Sequence, residues 1–292
     1  MPFLQLTIDL GPADPAPLED RLFALGAISV TLEDAADDPV LEPAPGETPL
    51  WPRVRLKALF AADMDHDKLG AALQQSLAGP PGWRLEQIAD QAWERTWLKD
   101  FRPMRFGRRL WVCPAGMPAG DPDAIVIDLD PGLAFGTGTH PTTALCLEWL
   151  EGRELVGRDV VDYGCGSGIL AIAAMKLGAA TVRAVDIDPQ ALLATRENAL
   201  RNGIEAGLEV TSEPGLPEGS ADVVVANILA GPLVELAPAF AAALRGGGEL
   251  AMSGLLVEQA DAVTRACRPW FDIVLTATRD GWGLLSGRRR AH

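Results

Sequence analysis

The sequence predicts an α/β protein in which a doubly wound, mostly parallel sheet follows a smaller α+β domain. From residue 160 onward, short apolar runs of strand length alternate with helical patterns, as in parallel sheets. The first of these runs passes through a glycine turn, 164–168, into a helix. Residues 1–90 instead give the order β-α-β-β-α-β, which is typical of ferredoxin-like domains.

The composition is typical of a soluble globular protein of 292 residues, which is enough for two domains of ordinary size. No apolar stretch reaches the roughly 20 residues that cross a bilayer, and the N-terminus lacks the basic start of a signal peptide. Four widely separated cysteines show neither metal-ligand nor disulfide spacing. We therefore expect a cytoplasmic protein without a metal site and without contact with a membrane.

The net charge of −15 is concentrated near the N-terminus, where residues 1–90 hold 15 acidic and 6 basic residues. A nucleic-acid-binding surface would be basic, so no direct contact with nucleic acid is expected. The acidity suits a basic partner. It is equally compatible with a role in solubility alone.

The N-terminal domain is predicted over residues 1–89. Its hydrophobic patterns give four strands and two helices, and a stretch rich in Pro, Asp, Glu and Gly at 34–52 is expected to be a loop. The strands are predicted at 3–10, 27–32, 54–60 and 83–88, and the helices at 15–26 and 65–77.

A connecting helix is predicted over residues 90–103, ahead of the second domain at 104–292. Aromatic residues at Trp93, Trp97 and Phe101 follow i, i+4, i+8 spacing, and Pro103 should end the helix. We expect this stripe to pack on a domain, although it could form a platform for a substrate.

The second domain is predicted to begin with a hairpin formed by residues 110–114 and 124–129. A loop rich in Gly and Thr, 130–143, then precedes a helix and offers N–H and O–H donors to an anionic group. Phe135 could cover a ligand there, and Thr143 could bond to it. His140 has no second ligand at metal spacing, so a structural role is favoured.

The glycine turn has a spacing that separates it from nicotinamide-binding turns. In the pattern Gly164-x-Gly166-x-Gly168, Ile169 stands where the nicotinamide fingerprint has its third glycine. Asp186 ends the next strand, 181–185, about 20 residues later, where an acid typically binds ribose hydroxyls. With Asp162 just before the glycines, the arrangement resembles the S-adenosylmethionine site of class I methyltransferases. The alternative is an ordinary βαβ turn with solvated acids.

The remaining elements continue the parallel sheet. Asn227 follows a buried apolar strand, and ligands in such sheets bind beyond the carboxyl ends of the strands, so this residue should lie near the reacting end of the cofactor. A run of three glycines at 246–248 should end the helix before it. Helices are predicted at 190–202, 232–244 and 258–267, and strands at 208–211, 221–227, 249–253, 271–277 and 282–286.

Together these stretches resemble the bacterial ribosomal protein L11 methyltransferase family. The similarity covers nearly the whole chain and is strongest from residue 93 to 233. The stretches that carry it are WERTWLKDFRPMRFGRRLWVCP at 93–114, DPGLAFGTGTHPTT at 130–143, DYGCGSGILAIAAMKLGA at 162–179, DIDPQA at 186–191 and ADVVVANILAGPL at 221–233. The C-terminal segment 282–285 matches less well, which leaves a role for it open.

The resemblance implies a Rossmann-like class I methyltransferase domain that moves methyl groups from S-adenosylmethionine to amines of L11, namely its N-terminal α-amine and lysine side chains. It also implies that the N-terminal domain recognises this substrate. Asn227 is the expected catalytic residue, because its carbonyl can accept a hydrogen bond from the amine and aim the nitrogen lone pair. The expected cofactor contacts are Phe135, Gly136, Thr143, Asp162, Gly164, Gly166, Asp186 and Asn227.

Other functions compete with this interpretation. A methyltransferase acting on another protein or on a small-molecule amine would have the same cofactor turn. A non-catalytic binding module would retain the fold, although an intact Asn227 argues against it. A nicotinamide oxidoreductase is disfavoured by the glycine spacing.

Overall fold

The computed structural model describes residues 3–36, 51–76, 82–88, 102–114, 117–129 and 138–290. The chain divides into two compact units, Met1–Thr96 and Trp97–His292. The predicted connecting helix at 90–103 lies almost wholly outside the described residues. It stays a prediction, as do the predicted domain boundaries.

The N-terminal unit contains a four-stranded sheet in the order β2-β3-β1-β4, with antiparallel pairing between all neighbours. Because β1 and β2 both pair antiparallel with β3, they run parallel to each other on either side of it, which is the predicted ferredoxin-like arrangement. The elements are β1 Phe3–Gly11, α1 Ala16–Ala24, β2 Ser29–Asp34, β3 Val54–Ala61, α2 His66–Ser76 and β4 Trp83–Ile88.

The two faces of this sheet differ in character because side chains alternate along each strand. The covered face has a core of buried apolar side chains from both strands and helices, including Leu6, Phe60, Leu22 and Leu69. The other face carries surface ion pairs, with Arg55 Nε 2.6 Å from Asp9 Oδ1 and Lys57 Nζ 2.8 Å from Glu33 Oε2. Such exposed pairs stabilise a fold by little.

The C-terminal unit begins with a three-stranded sheet that corrects the predicted hairpin. Strand β5 (Met104–Phe106) pairs antiparallel with β6 (Leu110–Pro114), and β6 pairs parallel with β7 (Ile125–Leu129). The hairpin is therefore β5–β6, and its turn contains Gly107 at φ +64°. The apolar pattern of β6 and β7 specifies that both are buried, but it does not specify the direction in which they pair.

The main sheet has seven strands in the order β10-β9-β8-β11-β12-β14-β13. Strands β8 to β12 pair in parallel, and β14 pairs antiparallel with both of its neighbours, so the predicted doubly wound sheet and its final antiparallel pair are confirmed. The strands are β8 Asp159–Tyr163, β9 Thr181–Val185, β10 Leu208–Thr211, β11 Ala221–Asn227, β12 Leu244–Leu256, β13 Phe271–Arg279 and β14 Trp282–Arg289.

Helices cover both faces of this sheet. Val160 and Val161 are neighbours in β8 and belong to different core clusters, because successive side chains point to opposite faces. The first cluster includes residues of three helices, α3 Pro141–Glu151, α4 Ile169–Lys176 and α5 Pro189–Arg201. The second includes residues of α6 Ala230–Ala243 and α7 Ala260–Cys267.

The glycine run at 246–248 is not the predicted stop of a helix. Helix α6 ends at Ala243, and β12 begins at once with Leu244 and passes through the glycines. Its pairing with β11 moves from Ala221↔Leu244 to Val223↔Glu249, so extra residues bulge from β12 at this point. The glycines therefore lie in a bulge of β12, where Gly247 adopts a left-handed conformation with φ +77°.

Candidate functional site

The glycine turn between β8 and α4 has a backbone conformation that favours glycine at three positions. Gly164, Gly166 and Gly168 have φ values of +78°, +54° and +79°, which L side chains rarely adopt. The N–H groups of Gly164 and Cys165 donate to the carbonyl of Val185, at 2.8 and 3.0 Å. The turn is thus fastened to the end of β9.

Asp186, at the end of β9, is tied to the same turn. One carboxylate oxygen accepts from the Gly166 N–H at 2.8 Å, and the other accepts from the Asp188 N–H at 3.0 Å. Between them in the chain, Ile187 is 84% exposed. This apolar surface beside the acid was not predicted, and its signal in the sequence is an apolar residue between two acids just after a strand.

Asp162 lies beneath the turn and is fully buried. Its Oδ2 accepts from the Ala171 N–H at 2.9 Å, whereas its Oδ1 has no hydrogen-bond partner among the described residues. Burial raises the pKa of this carboxyl to about 7, and the charge of Asp186 acts in the same direction. One oxygen at the base of the site is therefore available to a ligand.

Asn227 ends β11 beside the glycine turn, since its neighbour Ala226 pairs with Tyr163 at the end of β8. The side-chain Nδ2 of Asn227 donates to Thr143 Oγ1 at 3.3 Å. Thr143 lies in the first turn of α3 and is 2% exposed. Because this bond occupies the amide nitrogen, the amide oxygen remains as the acceptor that Asn227 can offer to a substrate.

Ile228 packs between the glycine turn and strand β12. A Cβ at Gly164 would collide with the Ile228 side chain, and a Cβ at Gly254 would collide with the Ile228 backbone. Gly254 has φ +87° and lies in β12. The chain after Asn227 therefore packs between two glycines, which sets its distance from the glycine turn.

Two side chains of helix α5, neither of them predicted as a site residue, form hydrogen bonds with the glycine turn. Thr195 Oγ1 donates to the Gly166 carbonyl and Asn198 Nδ2 donates to the Ser167 carbonyl, both at 2.9 Å. Both side chains are buried. Their signal in the sequence is a pair of polar residues at i, i+3 spacing on the apolar face of a helix.

His140 has the structural role that was favoured for it. Its side chain accepts from the Thr142 N–H and so caps the N-terminus of α3. The described residues include no group of three or more His, Cys, Asp or Glu side chains that could hold a metal ion. Within the same ranges, no helix is long and apolar enough to cross a membrane.

Six predicted site residues meet at the carboxyl ends of β8, β9 and β11 and at the start of α3: Thr143, Asp162, Gly164, Gly166, Asp186 and Asn227. Phe135 and Gly136 lie outside the described residues. Their contacts stay predictions, as do the cofactor contacts of the other six.

Comparisons with known proteins point in one direction. The family model described as "Ribosomal protein L11 methyltransferase (PrmA)" matches residues 2–290. A relative named ribosomal protein L11 methyltransferase from Pseudomonas aeruginosa (strain LESB58) is 57% identical over 293 residues, covering 100% of both chains. One from Azotobacter vinelandii (strain DJ / ATCC BAA-1303), with the same name, is 56% identical and covers 99% of this chain and 100% of its own.

A solved structure is similar to about two thirds of the chain. It is the ribosomal protein L11 methylase from Lactobacillus delbrueckii subsp. bulgaricus, with a TM-score of 0.60 and 36% sequence identity. The match covers 65% of this chain and 100% of that one.

Proposed function

Because this chain belongs to the ribosomal protein L11 methyltransferase family, we propose that it transfers methyl groups from S-adenosylmethionine to amines of ribosomal protein L11. The observation that carries the proposal within the site is the Asn227–Thr143 hydrogen bond beside the glycine turn. It turns the amide oxygen of Asn227 into a fixed acceptor where an amine must be aimed. The cytoplasm, where ribosomal proteins are made, is the location that fits this substrate.

The residues present fit the cofactor. The turn formed by Gly164, Gly166 and Gly168 has positive φ values and carries no side chains, so its backbone can come close to a ligand. Asp186 stands where ribose hydroxyls are bound in related sheets. Exposed Ile187 offers an apolar surface for the adenine ring. The unpartnered Oδ1 of Asp162 offers an acceptor to the methionine ammonium group. When bound, S-adenosylmethionine supplies an electrophilic methyl carbon on a positive sulfonium.

The residues of the chain must bind an amine in its neutral form. A lysine has an ordinary pKa near 10.4, so most lysine side chains are protonated at neutral pH. Removal from water lowers the pKa of an amine. Asn227 Oδ1 then accepts one N–H of the neutral amine and directs the nitrogen lone pair. Orientation of this kind accounts for most of the acceleration that we assign to the protein, and we assign no general base.

The segment after Asn227 is consistent with repeated methylation of one nitrogen. Many amino-methyltransferases have Pro-Pro-aromatic at the three positions that follow, and here these are Ile228, Leu229 and Ala230. Ala230 is buried and small, and Leu229 is 57% exposed. We propose that the missing aromatic ring leaves room for an amine that already carries methyl groups.

Recognition of the protein substrate is proposed for the N-terminal unit. Its acidity, with 15 acidic and 6 basic residues in positions 1–90, suits a basic protein. The N-terminal α-amine and lysine side chains of L11 are the acceptors that we propose. The match to the family over residues 2–290 includes this unit, which supports a role specific to the family.

The direct test is the intact mass of L11 after incubation with this enzyme and S-adenosylmethionine. Mass increases in steps of one methyl group are expected, and none should occur without the cofactor. If L11 keeps its mass while calorimetry confirms cofactor binding, the chain is a methyltransferase for another protein or a small-molecule amine, or a non-catalytic binding module.

The role of Asn227 is tested by Asn227→Ala. The substitution should reduce turnover far more than cofactor affinity, because it removes the acceptor for the amine and leaves the glycine turn intact. Single-turnover rates and calorimetric cofactor titrations separate the two effects. Equal losses in both quantities would contradict the proposed aiming role.

A further inference from the structure

The C-terminal strand reaches the edge of the sheet at which Asn227 lies. β14 runs opposite to the parallel strands, so its first residue, Trp282, stands at their carboxyl edge. There the rings of Trp282 and His140 make an edge-to-face contact, with centroids 4.8 Å apart and an interplanar angle of 70°. Such aromatic contacts stabilise by roughly 0.5–1.5 kcal/mol beyond the burial of the rings.

His140 connects this contact to the start of α3. Its Nδ1 lies 2.7 Å from Thr142 Oγ1 and accepts from the Thr142 N–H at 3.3 Å. A backbone N–H can only donate, so Nδ1 is the unprotonated nitrogen and the ring is held in one orientation. Thr143 is the next residue along the helix, and it is the partner of the Asn227 amide.

A second connection runs through the sheet. The carbonyl of Gly283, which follows Trp282, accepts from Ser253 Oγ at 2.8 Å. Ser253 is fully buried and is the residue that pairs with Asn227 between β12 and β11. The start of β14 thus contacts Ser253, which pairs with Asn227, and His140, three residues before the Thr143 that bonds to Asn227.

We propose that Trp282 is a positioning residue for methyl transfer, because it holds His140, and through it Thr143 and the amide of Asn227, in the arrangement that aims the amine. The inference rests on the proposed function for its kinetic consequence. It gives the C-terminal segment 282–285, whose role the resemblance left open, a part in positioning the substrate. Trp282 acts through other residues, so its loss should slow the transfer step and leave cofactor binding nearly unchanged.

The experiment compares Trp282→Ala with Trp282→Phe, which keeps an aromatic ring, and with Trp270→Ala. Trp270 is a matched control because it is also partly buried, but it packs against the second core cluster, immediately before β13. Trp282→Ala should reduce kcat by about 10- to 100-fold, the scale expected when a reacting group is misplaced by about 1 Å. Trp282→Phe and Trp270→Ala should retain most of kcat, and all three should bind the cofactor within about twofold of wild type.

A second pair of variants tests the connection through His140. An asparagine can accept the Thr142 N–H in the same capping position, whereas an alanine cannot. His140→Asn should therefore recover part of the kcat that His140→Ala loses. Equal kcat values for these two variants would contradict the capping step of the connection.

Hydrogen exchange provides a readout that does not depend on activity. Amides at the start of Pro141–Glu151 should exchange faster in Trp282→Ala than in wild type or Trp270→Ala, as measured by mass spectrometry. Unchanged exchange there would overturn the inference even if L11 were not the substrate. Wild-type enzyme that transfers no methyl group to L11 would instead contradict the proposed function, and unchanged kcat in Trp282→Ala would contradict this inference alone.

Discussion

Asp162 is a buried acid with a hydrogen bond, within the described part of the chain, to only one of its two carboxyl oxygens. Its raised pKa makes the stability of the protein depend on pH. Its carboxyl releases a proton near pH 4 in an unfolded chain and at about pH 7 in the folded protein without ligand. Between these values the folded state binds more protons, so the free energy of unfolding falls as pH rises. The slope from this group is about 1.4 kcal/mol per pH unit.

The substitution Asp162→Asn removes this titration and keeps an oxygen for the Ala171 N–H. We expect the stability of wild type relative to Asp162→Asn to decrease between pH 5 and about pH 7. Denaturant unfolding at several pH values measures the difference. Asp159→Asn is the control, because Thr181 and Arg245 hold the pKa of Asp159 below its ordinary value and it stays ionised over this range. A difference independent of pH would show that Asp162 is ionised in the folded protein.

Gly164 combines a left-handed backbone with close contact to Ile228, and these two effects can be separated. In Gly164→Ala the new methyl group would meet Ile228, whereas at Gly203, which has a similar φ of +70°, it would have no neighbour within 4 Å among the described residues. Gly203→Ala should cost roughly 1–2 kcal/mol from backbone conformation alone. Gly164→Ala should cost more and should also slow methyl transfer. Equal stabilities in thermal unfolding would mean that Ile228 moves aside without strain.

The site residues that could be predicted from sequence are those at the ends of strands, because a strand end fixes the edge of the sheet at which a side chain lies. Asp186 and Asn227 each end a strand of one parallel sheet, so both had to lie at the same edge. Thr195 could not be recognised in this way, because a threonine within a helix can equally be solvated. The bond between Asn227 and Thr143 joins residues 84 positions apart, and no local pattern contains it.

At the scale of elements, α5 acts as a support for the glycine turn. Thr195→Val preserves the shape of the side chain and removes the hydrogen bonds of its hydroxyl to the Gly166 carbonyl and to Cys165 Sγ. Each such bond contributes about 1 kcal/mol, so we expect a moderate loss of stability together with weaker cofactor binding. Calorimetry on the folded variant measures the affinity.

Thr181→Val is the matched control for this substitution. It loses a side-chain hydrogen bond to Asp159, at the start of β9 and away from the turn. It should lose stability without losing cofactor affinity. If both variants bind the cofactor as wild type does, α5 does not shape the turn.

Element type was easier to predict than pairing. The periods of apolar residues identified most strands and helices, because burial alone produces those periods. The parallel pairing of β6 with β7 was missed, since β5 is only three residues long and its pairing with β6 is not visible in the hydrophobic pattern. The bulge at 246–248 was missed because a glycine run is compatible with both a helix stop and an irregular strand.

At the scale of the whole molecule, the net charge of −15 predicts a salt dependence. Raising ionic strength from about 0.1 M to about 1 M shortens the range of charge interactions from about 10 Å to about 3 Å. The KM for L11 should rise several-fold over this range, and the affinity for the cofactor should change much less. Steady-state kinetics at fixed cofactor saturation test this. A KM independent of salt would mean that the acidity serves solubility only.

The strand order of the main sheet also determines when each strand can pair during synthesis on the ribosome. β8 gains one neighbour, β9, soon after it is made, but its other edge waits for β11, which begins at Ala221. At about 5–20 residues per second, that edge stays open for about 3–12 seconds. β13 waits in turn for β14, the strand that starts with Trp282. The glycine turn can therefore form early in synthesis, whereas the Trp282 contacts that we propose to position Asn227 are completed only with the last strand.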